Sequence, residues 1–345
     1  MTLYDSYKEI PTIDLLEIIG NIPKELNGLA GSRILISGGT GFVGTWLTST
    51  ILEANRILKL NIKVTITTRN KILTEKKFSS FLDDNLEIVE IDVGSSQNSF
   101  WEHRHEFTHI IHGATPENPA TDDIGLRNTI VGGARNLLDL ATRMTMPPVF
   151  MHLSSGAVYG TSALTLNRIP EGWDPSDHES EFTAYAKSKI EVEELVGDAT
   201  QRGTIKGTNP RLFAFLGPLL PLNAQFAVGN FVRDSLNHRD IEILGNTETQ
   251  RSYMYPTDMV EWLFVLLSSP TLRPIHIGSD RAIAMIKIAE LVGKEFGGVS
   301  TILRNPSVQS NSYVPETTVT RSLLGVGQRV DVLEGLRRWH DWLSI

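Results

Sequence analysis

The 345-residue chain has no cysteine and no long uninterrupted apolar run. Without cysteine the protein forms no disulfide, carries no thiolate nucleophile and offers no cysteine-ligated zinc site. No stretch approaches the roughly 18 apolar residues that a membrane-spanning helix needs. The N-terminal segment also lacks the basic stretch and apolar run of a signal peptide. These absences lead us to expect a cytoplasmic protein without a membrane partner.

Basic residues are also few, since the chain has 32 Lys and Arg but 40 Asp and Glu, which gives a formal net charge of -8. A duplex-binding protein needs a basic face, so we expect no nucleic-acid partner. Anionic membrane surfaces are disfavoured for the same reason. The 41% hydrophobic content is ample for the core of one large α/β unit with a smaller lobe.

From residue 33 onward, short apolar runs alternate with amphipathic segments. The runs predict strands at 33–39, 63–68, 86–92, 108–114, 148–155 and 208–217, with helices at 42–56, 124–144 and 184–199. Such alternation indicates parallel strands with helices on both faces, which is a doubly wound α/β sheet. Its crossovers are expected to be right-handed.

The remaining segments divide the chain into an extension, a main domain and a lobe. Residues 1–31 form a helical extension in which Thr12 is expected to cap a short helix, and we favour a packing flap or an oligomer contact for it. The main domain covers 32–217 and is rejoined by about 253–280. Residues 218–252 and 281–345 form a small substrate-binding lobe over the carboxyl ends of the strands, where ligands of open α/β sheets bind.

A glycine-rich turn joins the first predicted strand to the first helix. Gly38 permits a tight turn, Gly41 lets a pyrophosphate approach the backbone, and Gly44 lets the helix pack closely on the strand. The helix N-terminus presents unpaired N–H groups to the phosphate. The alternative is an ordinary strand–turn–helix, but the position at the first junction favours dinucleotide binding. The predicted contacts are Gly38, Thr40, Gly41, Phe42, Val43 and Gly44.

The choice between NAD and NADP depends on the end of the second strand, which carries no carboxylate to bind the adenosine ribose of NAD. Arg69 lies there instead and could hold the extra phosphate of NADP, or be a solvated surface arginine. Either cofactor thus stays possible. Strand ends elsewhere predict further contacts: Asp92 and Val93 beside the adenine, Gly113 and Ala114 along the dinucleotide, and Thr115 toward the substrate.

Tyr185 and Lys189 lie four residues apart at the start of a predicted helix and share one face. A nearby ammonium and the nicotinamide ring are expected to lower the pKa of the phenol, so that it exchanges a proton with a substrate hydroxyl. Alone, the pair could equally belong to a surface helix. Ser154 and Ser155 end the fifth strand just upstream, where a hydroxyl can hold the reacting oxygen. All four together indicate a catalytic site, with Ser154 also beside the cofactor.

The segments GGTGFVG, LSSGAVYG and YAKSK, in this order, resemble the extended short-chain dehydrogenase/reductases, specifically the NAD-dependent nucleotide-sugar epimerase/dehydratase family. RLFAFLGP, GNFVRDSL and QRSYMYPTDMVEWL extend the likeness, which covers 33 to about 290. It implies a Rossmann-type doubly wound sheet, a nucleotide-sugar substrate and a homodimer. By carry-over, Ser155, Tyr185 and Lys189 are catalytic, Asn230 meets the nucleotide-sugar, and Arg251 pairs with its diphosphate.

Two positions depart from the family pattern and narrow the reaction. Related 4,6-dehydratases carry Asp-Glu directly after the strand-end hydroxyl residue, and related decarboxylases a glutamate, whereas here Gly156 and Ala157 follow Ser155. Neither transfers protons, so dehydration would need another acid in the substrate pocket beside Gly156. The candidates are Glu117, Glu179 and Glu181. An epimerase or 4-ketoreductase is favoured, with a 4,6-dehydratase as the alternative.

Other features carry less weight. Ala214 and the stretch 130–134 replace asparagines that the family often has, which suggests a less polar sugar pocket suited to a deoxy sugar. His103, His105 and His109 are interpreted as surface histidines, and no metal is expected. A nonenzymatic dinucleotide-sensing protein is a further alternative, but it would need no tyrosine–lysine pair.

Overall fold

The computed structural model describes residues 8–97, 99–102, 106–116, 122–174, 180–223, 226–297, 300–304 and 309–344. Its strands are β1 Arg33–Ser37, β2 Lys63–Thr68, β3 Leu86–Glu90, β4 His109–His112, β5 Val149–His152, β6 Ser154–Ser155, β7 Lys206–Thr208, β8 Pro210–Leu212, β9 Ile241–Leu244, β10 Gln250–Arg251, β11 Ile275–Ile277, β12 Ile283–Ala284, β13 Thr301–Arg304 and β14 Ser312–Tyr313.

The helices pack on both faces of the sheet and in the C-terminal part of the chain. They are α1 Thr12–Asn21, α2 Pro23–Gly28, α3 Phe42–Leu58, α4 Lys71–Lys77, α5 Ser99–Glu102, α6 Asp123–Arg127, α7 Gly133–Thr142, α8 Ala184–Gln201, α9 Ala227–Leu236, α10 Pro256–Ser268, α11 Met285–Phe296, α12 Thr318–Leu324 and α13 Val332–Ser344. No helix in the described ranges is long and apolar enough to cross a membrane.

The central sheet has six parallel strands in the order β3-β2-β1-β4-β5-β7, which confirms the predicted doubly wound Rossmann-type fold. Strand order reverses between β1 and β4, whose last residues Ser37 and His112 lie in register. Ligands of open α/β sheets bind in the crevice that opens at such a reversal. The chain therefore brings the loops after β1 and β4 together at one crevice.

Two predicted strands are each interrupted, because part of each pairs in the central sheet and the rest pairs in a second, smaller sheet. The fifth divides into β5 and β6, and the sixth into β7 and β8. β6 pairs with β8, and β8 pairs with β11, so a three-stranded sheet continues the carboxyl side of the central one. β11, in the segment RPIHIGS, thus joins the α/β unit through β8.

The long helix predicted at 124–144 contains a π-helical turn at Asn128–Gly132, between α6 and α7. The loop after β3 lies against this turn, and a Cβ on Gly94 would be 2.7 Å from the carbonyl oxygen of Asn128. A π turn adds a residue to the helix and shifts its carbonyls. The backbone of the loop at Gly94 is thus in close contact with the helix at the π turn.

The extension belongs to the hydrophobic core, since α1 packs against α3 and α10. Leu15 and Ile18 are buried, whereas Ile13 is 69% exposed. The predicted cap was wrong: Pro11 occupies the N-cap position and gives no side-chain cap, and Thr12 is the first helical residue. A proline fits just before or at a helix start because it has no N–H to satisfy.

The C-terminal part contains more strand than the sequence predicted. β9 pairs with β13, and β10 lies between β12 and β14. These strands are two to four residues long, too short for a periodic signal. Trp339 and Trp342 are buried on α13 and pack this helix against the core.

Candidate active site

The glycine-rich turn is locked by backbone packing at two positions. Gly38 has φ +75°, and a Cβ there would be 2.7 Å from the backbone nitrogen of Ala114. A Cβ on Gly44 would overlap the carbonyl oxygen of Gly38. Positive φ and close backbone approach both require glycine. The first turn of α3 therefore lies directly against the end of β1.

Gly41 differs, because its Cβ would meet only the Gly38 oxygen at an ordinary 3.5 Å. It is the N-cap residue of α3, with Phe42 and Val43 as the first two helical residues. The unpaired N–H groups of this 17-residue helix begin here. The open side of Gly41 is thus where an anionic group could approach the backbone, which fits a dinucleotide pyrophosphate.

Two cations flank the turn on the β2 side. Arg69 is exposed and has no hydrogen bond or ion pair to any residue the structure describes. Lys77, which the sequence analysis missed, donates from Nζ to the Thr40 carbonyl at 2.7 Å. Asp92 is exposed and accepts a hydrogen bond from the Gly94 nitrogen at 3.0 Å, whereas Val93 is buried. Basic charge at this end of the crevice suits a phosphate.

Below the crevice lies a neutral, fully buried histidine. His112 Nε2 lies 2.8 Å from the Ile130 carbonyl, and Nδ1 lies 2.7 Å from the Ser37 hydroxyl. A carbonyl only accepts, so Nε2 carries the proton and Nδ1 accepts from the serine. Burial, with Lys189 adding repulsion, lowers the pKa of His112 to about 3. Gly113, Ala114 and Thr115 follow it along the edge of the crevice.

His152 stacks on His112, with ring centroids 5.5 Å apart. Neither of its ring nitrogens makes a hydrogen bond of normal geometry with a described residue. Burial, then Lys189 and His112, hold the pKa of His152 well below its usual value of 6.5. The native protein therefore keeps this ring neutral in acid, while the unfolded chain protonates it.

Replacing His152 with phenylalanine is expected to make stability less sensitive to acid. Below about pH 6.5 the His152 imidazole takes up a proton in the unfolded wild type but stays neutral in the native state. The free energy of unfolding therefore falls by about 1.4 kcal/mol for each pH unit of acidification because of this one group. The phenyl ring removes that contribution and two unpaired nitrogens. Urea unfolding at several pH values between 7 and 5 measures how the free energy of unfolding depends on pH. If this dependence were as steep in the variant as in the wild type, the expectation would be contradicted.

Lys189 is 2% exposed and donates from Nζ to the Leu153 carbonyl at 2.7 Å. Burial lowers its pKa to about 7, although Glu193 acts in the opposite direction. Its Nζ lies 5.6 Å from the centre of the Tyr185 ring. The predicted pair is thus brought together on α8, with the amine near the end of β5.

The Ser155 side chain acts to lower the pKa of Tyr185 and so favours its phenolate. Burial nevertheless dominates and raises the pKa of Tyr185 above 10. Lys189 does not offset this effect of burial, because a lysine of pKa about 7 is only partly charged at neutral pH, and the expected effect of the nicotinamide ring stays a prediction. The hydroxyl of Ser155 is what stabilises the phenolate here.

Ser154 is held in a separate network. Its hydroxyl donates to Glu193 at 2.5 Å, and Glu193 pairs with Arg211 through two bonds of 2.6 and 3.0 Å. Glu193 lies one helical turn after Lys189, and this spacing could have identified it from the sequence. The network fixes α8 to β6 and β8, so Ser154 anchors the site while Ser155 faces Tyr185.

The space beside Gly156 is filled by aromatic side chains. A Cβ on Gly156 would be 2.5 Å from the Tyr313 hydroxyl and 2.7 Å from Phe213. Tyr313 comes from the C-terminal lobe and was not predicted. Of the alternative acids, Glu181 is exposed, with its backbone paired to Thr161. Glu117 and Glu179 lie outside the described residues, as do His103 and His105.

The predicted substrate residues occupy two places. Arg251 stands opposite Tyr313 in the β10–β14 register and binds the Asn311 side chain at 2.8 Å. It has no acidic partner among the described residues, and burial lowers its pKa. Asn230 lies on α9, where its side-chain oxygen accepts from Arg233 at 2.9 Å. Among the described residues Tyr313 stands opposite Arg251 and beside Gly156, whereas the contact described for Asn230 is with Arg233 on its own helix.

Comparison with known proteins agrees with this arrangement. The model of the NAD-dependent epimerase/dehydratase family matches residues 34–278. The chain belongs to this family. The match begins after α1 and α2, so the extension lies outside it. No group of histidine, aspartate or glutamate that could hold a metal is found within the described ranges.

Individual relatives are distant. UDP-glucuronic acid decarboxylase 2 of Arabidopsis thaliana is 25% identical over 338 residues, covering 94% of this chain and 72% of that protein. The epimerase Mth375 of Methanothermobacter thermautotrophicus has a TM-score of 0.78 at 20% identity, covering 94% and 96% of the two chains. UDP-glucose 4-epimerase of Thermotoga maritima, solved with UDP-glucose, has a TM-score of 0.75 at 18% identity, covering 90% and 98%. The fold is thus shared with solved structures at low sequence identity.

Proposed function

We propose that the chain transfers a hydride between bound NAD or NADP and a carbon of a nucleotide-activated sugar, as an epimerase or 4-ketoreductase. The observation that carries this proposal is the buried amine of Lys189, which donates to the Leu153 carbonyl after β5 and lies 5.6 Å from the centre of the Tyr185 ring, with Ser155 on the adjoining β6. The turn at Gly38, Gly41 and Gly44 fits the dinucleotide. Backbone atoms crowd Gly38 and Gly44, whereas Gly41 has an open side where a phosphate can approach.

The proposed chemistry divides simply. When bound, the nicotinamide accepts or supplies the hydride. Tyr185 takes the proton from the sugar hydroxyl at its phenol oxygen, or returns it to a ketone. Ser155 holds the reacting oxygen against the phenol, and Lys189 adds positive charge beside it when protonated. Arg251, which lacks an acidic partner among the described residues, is proposed to bind the diphosphate.

Dehydration and decarboxylation are less well supported. Both would need a further proton-transferring side chain next to Ser155, where Gly156 and Ala157 have none. The space beside Gly156 holds Tyr313 and Phe213. A homodimer, a contact of Asn230 with the nucleotide, and a preference for a deoxy sugar remain proposals from the family resemblance.

The decisive experiment identifies the retained dinucleotide by mass and the product by NMR. The purified protein is incubated with UDP-glucose or UDP-glucuronic acid and, separately, with NADPH and a 4-keto-sugar nucleotide. An epimerised sugar with no net cofactor consumption, or stoichiometric oxidation of NADPH, supports the proposal. Release of carbon dioxide or formation of a 4-keto-6-deoxy product would instead identify a decarboxylase or a dehydratase.

Arg69 is proposed to bind the extra phosphate of NADP. Arg69→Ala is therefore expected to weaken NADP about tenfold, the effect of one charge-assisted bond, and to leave NAD unchanged. Isothermal titration with both cofactors measures this. Arg202→Ala removes another exposed arginine, after α8, and serves as the matched control. Equal affinities for both cofactors, unaltered by Arg69→Ala, would remove the proposed role.

A further inference from the structure

Two side chains of α8 hold the chain where β5 ends and β6 begins. Tyr185, Lys189 and Glu193 follow one another at intervals of four and so lie on successive turns of this helix. Lys189 donates to the Leu153 carbonyl at 2.7 Å, and Glu193 accepts from the Ser154 hydroxyl at 2.5 Å. Two consecutive residues are thus fastened to two consecutive turns of α8, directly before the proposed catalytic serine.

Arg211 completes this contact from β8. It stands opposite Ser154 in the β6–β8 register and binds both carboxylate oxygens of Glu193, at 3.0 and 2.6 Å. The side chains of Glu193 and Arg211 are only 14% and 16% exposed. A guanidinium and a carboxylate that share two parallel bonds have a defined mutual orientation. The carboxylate therefore joins α8, β6 and β8 at a single point.

Arg211 is itself held by neighbouring aromatic groups. Its guanidinium carbon lies 4.8 Å from the centre of the Tyr159 ring, and the Tyr159 hydroxyl lies 2.5 Å from His276 Nε2. His276 Nδ1 lies 2.7 Å from the Glu316 carbonyl, so Nδ1 carries the proton and Nε2 accepts from the tyrosine. Glu193 thus meets a guanidinium whose position is fixed by its surroundings.

The Glu193 carboxylate also places a negative charge one helical turn from the Lys189 amine, where residues four apart are neighbours. Burial lowers the pKa of Lys189 to about 7, and the charge of Glu193 acts against this effect. His112 and His152 interact with the same amine but stay neutral, and the buried Tyr185 phenol keeps its proton at neutral pH. These three groups therefore offer the ammonium no negative charge.

We propose that Glu193 is a positioning residue, whose carboxylate fastens the strand end at Ser154–Ser155 to α8 and supplies negative charge beside the Lys189 ammonium. This inference rests on the proposed function, in which Lys189 adds positive charge next to the Tyr185 phenol. Without the carboxylate, fewer molecules would carry a charged Lys189 at neutral pH, and hydride transfer would slow accordingly. A carboxylate that served only for packing would have no influence on the titration of Lys189.

The first test follows the Lys189 amine by NMR in protein labelled with carbon-13 at the lysine ε-carbon, without cofactor or substrate. Lys189→Met assigns the signal. In Glu193→Gln the midpoint of the titration should fall by about one pH unit from a wild-type value of about 7, as expected when one nearby charge is lost. Glu194→Gln removes an exposed carboxylate from the next position of α8 and should leave the midpoint in place. An unmoved midpoint in Glu193→Gln would overturn the proposal.

A double variant separates the charge of Glu193 from its packing. Glu193→Gln leaves the Arg211 guanidinium without its acidic partner, so this variant should also be less stable in urea. Glu193→Gln/Arg211→Gln removes both charges, and stability should recover in part, since two amides can still form a hydrogen bond. The lowered Lys189 midpoint should persist. A midpoint that recovered together with stability would refute the role of the Glu193 charge.

Turnover of a sugar nucleotide that the wild type converts gives the second readout. An amine of pKa about 7 is about half charged at pH 7 and about nine-tenths charged at pH 6. If its midpoint falls by about one pH unit in Glu193→Gln, kcat should drop about fivefold at pH 7 but only about twofold at pH 6. An equal loss at both pH values would contradict the inference. If the wild type converts no sugar nucleotide, the proposed function fails, while the NMR titration still decides the role of Glu193.

Discussion

Tyr185→Phe is expected to lower kcat for hydride transfer by about 10³-fold, within the range for losing a general acid–base. The variant loses only the phenol oxygen that exchanges the proton, while the ring and its packing remain. Its thermal unfolding and its content of bound dinucleotide should match the wild type. Single-turnover absorbance of the reduced cofactor, with a sugar nucleotide that the wild type converts, measures the effect.

Two lysines of α8 provide the control for this experiment. Lys189 is buried beside Tyr185, whereas Lys187 is exposed on the other side of the same helix. Lys189→Met should reduce turnover strongly, and Lys187→Met should leave it unchanged. Wild-type turnover in Tyr185→Phe, or equal losses in the two lysine variants, would show that the chemistry lies elsewhere.

Gly44→Ala is expected to destabilise the protein by about 3 kcal/mol or more, beyond the usual cost of an added methyl group. Its Cβ would overlap the carbonyl oxygen of Gly38, which is backbone and cannot rotate away. The first turn of α3 would have to move off β1, and the cofactor site would be lost with it. Urea denaturation and dinucleotide content together measure the two effects.

Gly41→Ala is the matched comparison, because its Cβ meets the nearest atom at an ordinary 3.5 Å. Stability should remain close to that of the wild type, while dinucleotide affinity should fall by about tenfold or more, since the methyl group occupies the side where phosphate approaches. A Gly41→Ala protein that binds cofactor normally would place the pyrophosphate elsewhere. A Gly44→Ala protein as stable as the wild type would contradict the packing argument.

The residues that sequence alone could locate are those joined by local spacing. The glycines at the first strand–helix junction and the pair Tyr185–Lys189 are such cases, because turn geometry and helix period act within a few residues. The parallel sheet followed from the same local patterns. Glu193 is also related to Lys189 by local spacing, because it lies one helical turn after it, so the sequence could have predicted its place in the site.

Other features depend on tertiary packing that no local pattern encodes. Tyr313 reaches the space beside Gly156 because β14 joins β10, and both strands are only two residues long. The pKa of Tyr185 was expected to be low, but burial raises it, and burial of one side chain is a property of the whole fold. The π turn at Asn128–Gly132 likewise lies in close backbone contact with the loop at Gly94, a contact that the local sequence does not indicate.

The buried carboxylate of the first helix has a consequence for synthesis of the chain. Asp14 is 1% exposed and binds Tyr255 at 2.6 Å and Arg338 at 3.1 Å, a partner 324 residues away. A charge removed from water is costly until it is paired. On the ribosome α1 therefore completes its docking only after α13, with Arg338 lying 324 residues downstream of Asp14, has emerged. Until then, its apolar face at Leu15 and Ile18 is open to chaperones.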